Sequence, residues 1–336
     1  MTACKRSLAA SGCIAALAVG AAGAADAATL YTSGITAPSG AVWVPDSGLS
    51  GGGRLWIADH VQGFCRLDPV GNAATINVTS CVVIGAVGEP AYDSAHSMVY
   101  LPDLSSKSVG VTRILYQTNT HRFTGSRTSF NPNLPSPDKK AKTGQLGGLR
   151  PDAVAVDANG SIYIGNRKNG AIYRMTAAYT SKPGALEQVA NTSDNRGVLG
   201  MTFAGNDLYI AEGAAVTSIT DPSGITDQND LCTSSLICSA SDLGLGFFAP
   251  QGGIAYAAPN LYVGQIASVD VLNLSNFEQA SMPGFQVVSA VGYKPGSGVP
   301  GSEQVFIGDD PTAGAAVAQG HIWTAPGADL SNPPAP

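Results

Sequence analysis

Leu55-Trp56-Ile57-Ala58-Asp59 is the first of six copies of one short strand signature in this chain. Each copy reads aliphatic, aromatic, aliphatic, small and polar. The other five are Val99-Tyr100-Leu101-Pro102-Asp103, Ile162-Tyr163-Ile164-Gly165-Asn166, Leu208-Tyr209-Ile210-Ala211-Glu212, Leu261-Tyr262-Val263-Gly264-Gln265 and Val305-Phe306-Ile307-Gly308-Asp309. The aromatic residues stand at positions 56, 100, 163, 209, 262 and 306, which are 44, 63, 46, 53 and 44 residues apart. A strand that returns at such intervals indicates a repeat architecture.

The third copy shows the whole repeat. Residues 150–156 alternate as a strand does, and Asp157-Ala158-Asn159-Gly160 has the composition of a tight turn. Residues 161–165, 171–175 and, more weakly, 186–190 supply three further strands. Four antiparallel strands in each repeat are typical of one blade of a β-propeller.

The repeat therefore predicts an all-β chain, a six-bladed β-propeller with four-stranded antiparallel blades. No window has the sustained apolar spacing of a long amphipathic helix. The sixth repeat lacks a convincing fourth strand, whereas Thr29-Leu30-Tyr31-Thr32 has strand composition and no partner in the first blade. We expect this N-terminal strand to close the last blade, since closure removes an open sheet edge.

Residues 1–27 have the pattern of a secretory signal peptide, with Lys5 and Arg6 before an Ala-rich apolar stretch and Ala25-Asp26-Ala27 as the cleavage site. A membrane anchor is the alternative, but the stretch is short and weakly hydrophobic. We predict a secreted or periplasmic protein without a membrane span, folded as one domain over residues 28–336. Residues 117–149 form a basic loop insertion between blades 2 and 3, either a solvated loop or an arm over the channel.

Charge and cysteine content narrow the possible partners and bonds. Without residues 1–27 the chain keeps 18 − 2 = 16 basic and 24 − 1 = 23 acidic residues, a net charge of −7 with neutral histidine. A mildly acidic chain without a basic stripe argues against nucleic acid as a partner. Four cysteines remain, and we expect the disulfides Cys65–Cys81 and Cys232–Cys238 because each pair is close in sequence. A metal site is the weaker alternative.

In a propeller, the loops that lead into the innermost strands and those that follow the second strands share one face, around the channel mouth. Acidic residues are frequent at these positions, and their oxygens are ligands that Ca²⁺ prefers. We predict a divalent cation there, Ca²⁺ first, with the ligands Glu89, Asp152, Asp59 and Asp309. Substrate-binding candidates at the same mouth are Arg150, Asn166, Glu212 and Gln251. The alternative for each acid is structural, with its carboxylate bonded to loop backbone.

Two of the four histidines lie near this face. His60 follows the first signature strand, and His321 follows the loop that holds Asp309. If the first and last blades are neighbours, His60 and His321 could act with Asp152 as catalytic groups that move a proton. The alternative is a structural role for each histidine.

Arg150-Pro151-Asp152-Ala153-Val154, with Asp157, Gly160 and Ile162-Tyr163-Ile164, resembles the blade motif of gluconolactonase/regucalcin-like and NHL-repeat six-bladed propellers. Gly88-Glu89-Pro90 also resembles a glutamate-glycine-proline motif of the gluconolactonase-like group, in altered order. The resemblance implies one divalent cation at the channel mouth and hydrolysis of lactones or related esters. It matches Glu89 to the glutamate ligand and Asp152 to a substrate-side position. Leu199 and Gln251 stand where the family has asparagine and aspartate ligands.

Two hypotheses follow. The first is a metal-dependent hydrolase acting on lactones or small esters at the channel mouth. The second is a non-catalytic secreted propeller that binds a small ligand, a glycan or a protein on the same face. The familiar hydrolase patterns G-x-S-x-G and H-E-x-x-H are absent from the sequence.

Overall fold

The computed structural model describes residues 28–70, 75–82, 84, 88–103, 110–123, 128–130, 151–192, 196–213, 215–225, 232–239, 250–296, 303–310 and 320–326. Within these ranges the chain is built of strands and one short 3₁₀-helix, Pro222–Gly224. No helix among the described residues is long and apolar enough to cross a membrane. The all-β prediction is confirmed, and the predicted signal peptide lies outside the described residues.

The first two sheets are antiparallel and follow the chain from the inside outward. The first sheet contains β2 (Pro38–Pro45), β3 (Gly53–Asp59), β4 (Gly63–Val70) and β5 (Thr75–Val82). The second contains β6 (Ala91–Asp93), β7 (Met98–Asp103), β8 (Gly110–Gln117) and β10 (Thr128–Phe130), with β9 (Arg122–Phe123) also paired to β8. The start of the predicted 117–149 insertion thus contributes β9 and β10 to a sheet, while residues 131–149 lie outside the description.

The third and fourth sheets are connected by one strand at their outer edge. The third contains β11 (Pro151–Val156), β12 (Ile162–Asn166), β13 (Ala171–Met175), β14 (Leu186–Asn191) and β18 (Cys232–Thr233). The fourth contains β15 (Val198–Ala204), β16 (Asp207–Glu212), β17 (Ala215–Ile219) and β19 (Ser235–Ser239). Strand β18 follows β17 in sequence but pairs in parallel with β14, so it connects the two sheets at their outer edge.

The fifth sheet has six strands and differs from the predicted pair of separate blades. It contains β20 (Pro250–Ala257), β21 (Asn260–Asn273), β22 (Gln279–Lys294), β23 (Gln304–Asp309), β24 (Gly320–Pro326) and β1 (Thr29–Ile35). The first half of β22 pairs with β21, and its second half, from Val288, pairs with β23. Because β22 continues from one half to the other, hydrogen bonding gives five sheets instead of six. Strand β1 pairs antiparallel with β24.

The core lies between the sheets. In the described residues the buried side chains form six hydrophobic clusters, and each cluster joins strands that are neighbours around the ring. One of them packs Leu55 and Ile57 of the first sheet against Phe306 and Ile322 of the last, so the ring closes. Every signature aromatic belongs to a different cluster: Trp56, Tyr100, Tyr163, Tyr209, Tyr262 and Phe306. The signature repeats because every interface between neighbours needs one large ring.

One of the two predicted disulfides forms and the other is wrong. Cys65 and Cys81 are bonded and join β4 to β5. Cys232 has a free thiol. Cys232 lies opposite Ala190 in the third sheet, whereas Cys238 lies opposite Val216 in the fourth. The outer-edge crossing of β18 therefore separates two cysteines that are only six residues apart, and burial raises the pKa of the Cys232 thiol.

Candidate functional site

A cavity of about 250 Å³ lies on the axis of the ring. Six strand segments each contribute three or four consecutive residues to its wall. They are residues 41–43, 89–92, 154–156, 201–203, 254–256 and 291–293. Because every segment is the innermost strand of its part of the ring, the cavity is the central channel.

One end of this cavity is ringed by aromatic side chains, which we call the aromatic rim: Trp43, Tyr92, Phe203, Tyr256 and Tyr293. They occupy one structural position, since each lies opposite the first residue of a signature strand. Val156 holds the sixth such position. All six side chains are half-buried. The sequence analysis did not identify this rim, although aligning the innermost strands by their signatures would reveal it.

Contacts with the neighbouring sheets hold the rim side chains in place. Trp43 stacks on Phe306 with ring centroids 5.9 Å apart, and Phe203 meets the edge of Tyr163 at 5.1 Å. The ammonium of Lys294 lies 5.2 Å from the centroid of the Trp43 ring. The rim is therefore a fixed aromatic surface that already carries one cation–π contact.

Glu89 lies at the opposite end of the cavity from the rim. Its Oε1 accepts a hydrogen bond from the Ile254 amide, and its Oε2 accepts one from the Met201 amide, both at 2.9 Å. The side chain therefore crosses the channel from the segment that precedes β6 to β15 and β20. Gly200 makes room for it, because a Cβ there would lie 2.6 Å from Glu89 Oε2.

Glu89 is only 3% exposed. Burial raises its pKa well above the usual value; the two amide hydrogen bonds oppose this shift, and the charge of Asp152 adds to it. Its backbone is tied to the third sheet, since the Glu89 amide donates to the Asp152 carbonyl at 2.7 Å and its carbonyl accepts from Val154. Glu89 is thus a fixed, buried acid with a like charge as its charged neighbour.

Asp152 is buried next to Glu89 and forms an ion pair with Arg167. The Arg167 Nη1 lies 2.9 Å from Asp152 Oδ2, and the arginine side chain is 47% exposed. The structure thus places the predicted residues Glu89 and Asp152 close together. Arg150 and the side chain of Gln251 lie outside the described residues.

The acids that end the signature strands bind backbone amides. Asp59 is fully buried and accepts four amide hydrogen bonds, from Thr36, Ala37, Val61 and Gln62. Each carboxylate oxygen accepts two of these four hydrogen bonds. The Asp59 carboxylate therefore fixes two loops. This is the role that the sequence analysis gave as the alternative to metal binding.

The other signature-end residues have similar surroundings. Asp309 accepts from the amides of Gln286 and Val287, each at 2.9 Å. Glu212 accepts hydrogen bonds from the hydroxyls of Thr217 and Ser234. Asn166 accepts from the Lys168 amide and donates to Asn169. All three side chains are buried. Asp309 was a predicted metal ligand, and Glu212 and Asn166 were predicted substrate-binding residues, but the contacts they make are hydrogen bonds to nearby loop and strand groups.

The two predicted histidines lie in different elements, one in a turn and one in a strand. His60 is exposed in the turn after β3, and its amide donates to the Ala37 carbonyl. His321 is half-buried in β24, opposite Asp309 of β23, with its ring centroid 6.1 Å from that of Trp323. The structure therefore places His321 beside Asp309 on the neighbouring strand.

Two other histidines, which the sequence analysis did not use, form close pairs with aspartates. His96 Nδ1 lies 2.7 Å from Asp93 Oδ2, and its ring stacks on Tyr179 at 3.5 Å. His121 Nδ1 lies 2.7 Å from Asp46 Oδ2. Asp93 ends the innermost strand β6 and Asp46 directly follows the innermost strand β2, so both pairs lie toward the aromatic end of the ring.

The predicted metal ligands do not form a metal-binding group in the described part of the chain. No set of three or more histidine, cysteine, aspartate or glutamate side chains there is arranged to hold an ion. Glu89 is engaged by two amides, Asp152 by Arg167 and Asp59 by four amides. The described residues therefore do not fit a calcium centre, and we derive no chemical step through a metal.

Comparison with known proteins gives structural likeness only. No family model matches the chain, and no curated sequence matches it. A luciferin-regenerating enzyme has 12% identity and a TM-score of 0.60 over 90% of this chain and 94% of that one. A gluconolactonase from Xanthomonas campestris has 14% identity and a TM-score of 0.57, covering 89% of each chain. A calcium-binding regucalcin from Agrobacterium tumefaciens has 13% identity and a TM-score of 0.57 over 94% and 98%. The chain is an all-β propeller that resembles gluconolactonase and regucalcin in fold.

Proposed function

We propose that this chain is a six-bladed propeller in which β1 closes the last blade. Six innermost segments around one cavity and six interfacial clusters support the count, with β22 shared by the fifth and sixth blades. Ile35 of β1 is buried in the cluster that joins the first and last blades.

Deletion of residues 28–35 tests this closure. We expect the melting temperature of the chain beginning at residue 36 to fall by at least about 10 °C, since the β24 edge and the Ile35 contacts are both lost. The matched control is Leu30→Ala, because Leu30 is 52% exposed in the same strand. Equal melting temperatures for the deletion and the control would contradict closure.

We propose that the protein binds a small molecule in the central channel. The observation that supports this most is the cavity itself: about 250 Å³, with half-buried aromatic residues at one end and a buried acid at the other. Concave sites with a small number of fixed polar groups are typical of ligand pockets. The volume is below the roughly 300–1,000 Å³ usual for drug-sized ligands, which favours a compact ligand.

A variant that fills the cavity tests this function. Thr202→Trp places a large ring in the wall of the channel, where Thr202 is half-buried. Compounds found by a thermal-shift screen and calorimetry on the wild type should not bind Thr202→Trp and should bind the control Thr118→Trp, whose site is an exposed turn. Ligands that bind both variants equally would contradict a channel site.

Hydrolysis of lactones or small esters at the channel is the second candidate function. The likeness to gluconolactonase supports it, as does the neighbouring carboxyl pair: Glu89 has a raised pKa, whereas Asp152 is paired with Arg167. Two carboxyls in unlike surroundings suit a general acid and a general base. In this proposal Asp152 accepts a proton from water, and His60 or His321 transfers protons at the mouth.

Turnover of a δ-lactone and an aryl acetate tests this candidate. Glu89→Gln and Asp152→Asn should each lower kcat/KM by about 100-fold, the usual scale for losing an acid or base. Glu278→Gln, an exposed acid on another surface, should leave it unchanged. Wild-type rates no higher than buffer would reject hydrolysis and leave channel binding as the function.

The calcium expectation belongs to the hydrolase proposal. Elemental analysis of the purified protein, followed by melting with and without EDTA, decides it. Stoichiometric calcium whose removal lowers the melting temperature would support a metal-dependent hydrolase, and its absence would favour a metal-independent site.

We also propose that residues 1–27 direct export to the cell exterior or the periplasm. N-terminal sequencing of the exported protein should begin at Ala28.

We further propose that a protein or glycan partner binds the face of the ring where the signature strands end. Pull-down with the exported form tests this proposal.

A further inference from the structure

The charge pattern of the channel cavity selects a class of ligand. Among the described residues that line the cavity wall, Glu89 is the only carboxylic acid, and no lysine, arginine or histidine is present. The wall therefore offers a carboxyl group at one end and aromatic rings at the other. This inference rests on the proposed function, because it names the ligand of the same channel.

The Glu89 carboxyl has hydrogen-bond donors but no counter-charge. Each oxygen accepts one amide, which leaves further acceptor capacity on both oxygens. The charged group that acts on it is Asp152, which carries the same sign. A buried carboxylate without a positive partner is costly, so a cationic group that entered the cavity would be stabilised there.

The aromatic rim suits the apolar part of such a ligand. Aromatic rings pack favourably against one another edge to face or offset, so a ring that enters the cavity finds partners there. Lys294 already places an ammonium 5.2 Å from the centroid of the Trp43 ring, so the nitrogen of a cationic ligand is favoured at the Glu89 end. Tyr92, Tyr256 and Tyr293 add three half-buried rings around the same opening.

We propose that the channel binds a small organic ammonium ion, with its nitrogen at the Glu89 carboxylate and its apolar part against the aromatic rim. The cavity of about 250 Å³ limits the ligand to roughly one ring with a short charged arm. An ammonium group would donate to the free lone pairs of Glu89, and the ring would lie between rim residues.

Three probes of one size and different charge test this proposal. Benzylammonium, benzyl alcohol and benzoate share a ring and differ in the polar group. In calorimetry at one salt concentration and pH 7, we expect benzylammonium to bind the wild type at least about 10-fold more tightly than benzyl alcohol, on the scale of one charge-assisted hydrogen bond. Benzoate should bind most weakly.

Two variants assign the contributions. Glu89→Gln should reduce the preference for benzylammonium over benzyl alcohol to within about 2-fold, because the counter-charge is gone. Tyr256→Ala should weaken the binding of both probes. Phe277→Ala changes an exposed aromatic residue in the turn between β21 and β22 and should leave both affinities unchanged. If Glu89→Gln does not fold, the three wild-type affinities still decide the question.

The outcomes separate the ligand class from the function. Equal or tighter binding of benzyl alcohol or benzoate would overturn the ammonium proposal and leave channel binding in place. Absence of benzylammonium binding would also overturn it, and the proposed function would then be judged by the Thr202→Trp comparison alone.

Discussion

The two ends of the channel use buried and half-buried side chains in different ways. At the signature end, Asp59 and Asp309 are buried and bonded to loop amides. At the aromatic end, Trp43, Tyr92 and Tyr256 remain half-buried and line the cavity. The difference shows that a high density of acids does not by itself identify a metal site, since carboxylates are also the strongest acceptors for exposed loop amides. Glu89, at the end of the cavity opposite the rim, accepts two amide hydrogen bonds and has Asp152 as a neighbour of like charge.

The largest effect should come from closing the space beside Glu89. In Gly200→Ala the new methyl group would lie 1.9 Å from the Gly252 carbonyl oxygen and 2.6 Å from Glu89 Oε2. Because backbone must move to relieve this contact, we expect the free energy of unfolding to fall by about 3 kcal/mol or more. Urea denaturation measures it. Gly213→Ala is the control, since its added carbon would meet nothing within 4 Å. Equal stability of the two variants would contradict the close packing of Gly200 against Gly252 and Glu89.

The next effect tests the structural role of the signature end. Asp59→Ala leaves four part-buried amides without their acceptor, and each costs less than the roughly 1–3 kcal/mol of a fully buried amide because water can reach it. We expect a loss of about 3 kcal/mol in the free energy of unfolding. The exposed acid Glu278, changed to alanine, should cost less than about 0.5 kcal/mol. A cost for Asp59→Ala no greater than this would return Asp59 to the candidates for a functional ligand.

A pH series tests the buried state of Glu89. The pKa of Glu89 is higher in the folded chain than its ordinary value of 4.5, because the carboxyl is buried. Its stabilising contribution is therefore fully present below pH 4.5 and is lost as the pH rises through the folded pKa. The wild-type free energy of unfolding, minus that of Glu89→Gln, should decrease from pH 4 to pH 8. A difference that is constant or rises over this range would contradict the buried, unpaired state of Glu89.

The smallest effect concerns the rim. Lys294→Met removes the ammonium beside Trp43 and keeps most of the aliphatic stem. We expect a loss of about 0.5 kcal/mol, the usual value for an exposed cation–π pair. Lys182→Met, an exposed lysine in a turn, is the matched control. Urea denaturation measures both variants, and equal stability of Lys294→Met and Lys182→Met would contradict a stabilising contact between Lys294 and Trp43.

The sequence located the strands well because each signature must bury its aromatic residue between two sheets. All six signature segments lie in the strands that it predicted, and the Cys65–Cys81 bond forms between neighbouring strands. It was less informative where sequence distance and spatial distance diverge. Cys232 and Cys238 are six residues apart but lie on different sheets, and the long strand β22 joins two predicted blades into one sheet.

The amino-acid sequence by itself determined the all-β class, the repeating strand and the positions of the acids, because apolar alternation and turn residues are local properties. Only the tertiary structure decided what those acids do. Asp59 receives amides from two loops, and Glu89 reaches Met201 and Ile254, more than 100 residues away in the chain. The aromatic rim also exists only in three dimensions, since it is assembled from one residue of each innermost strand. Burial and partner choice are set by the closed ring, and no local pattern encodes them.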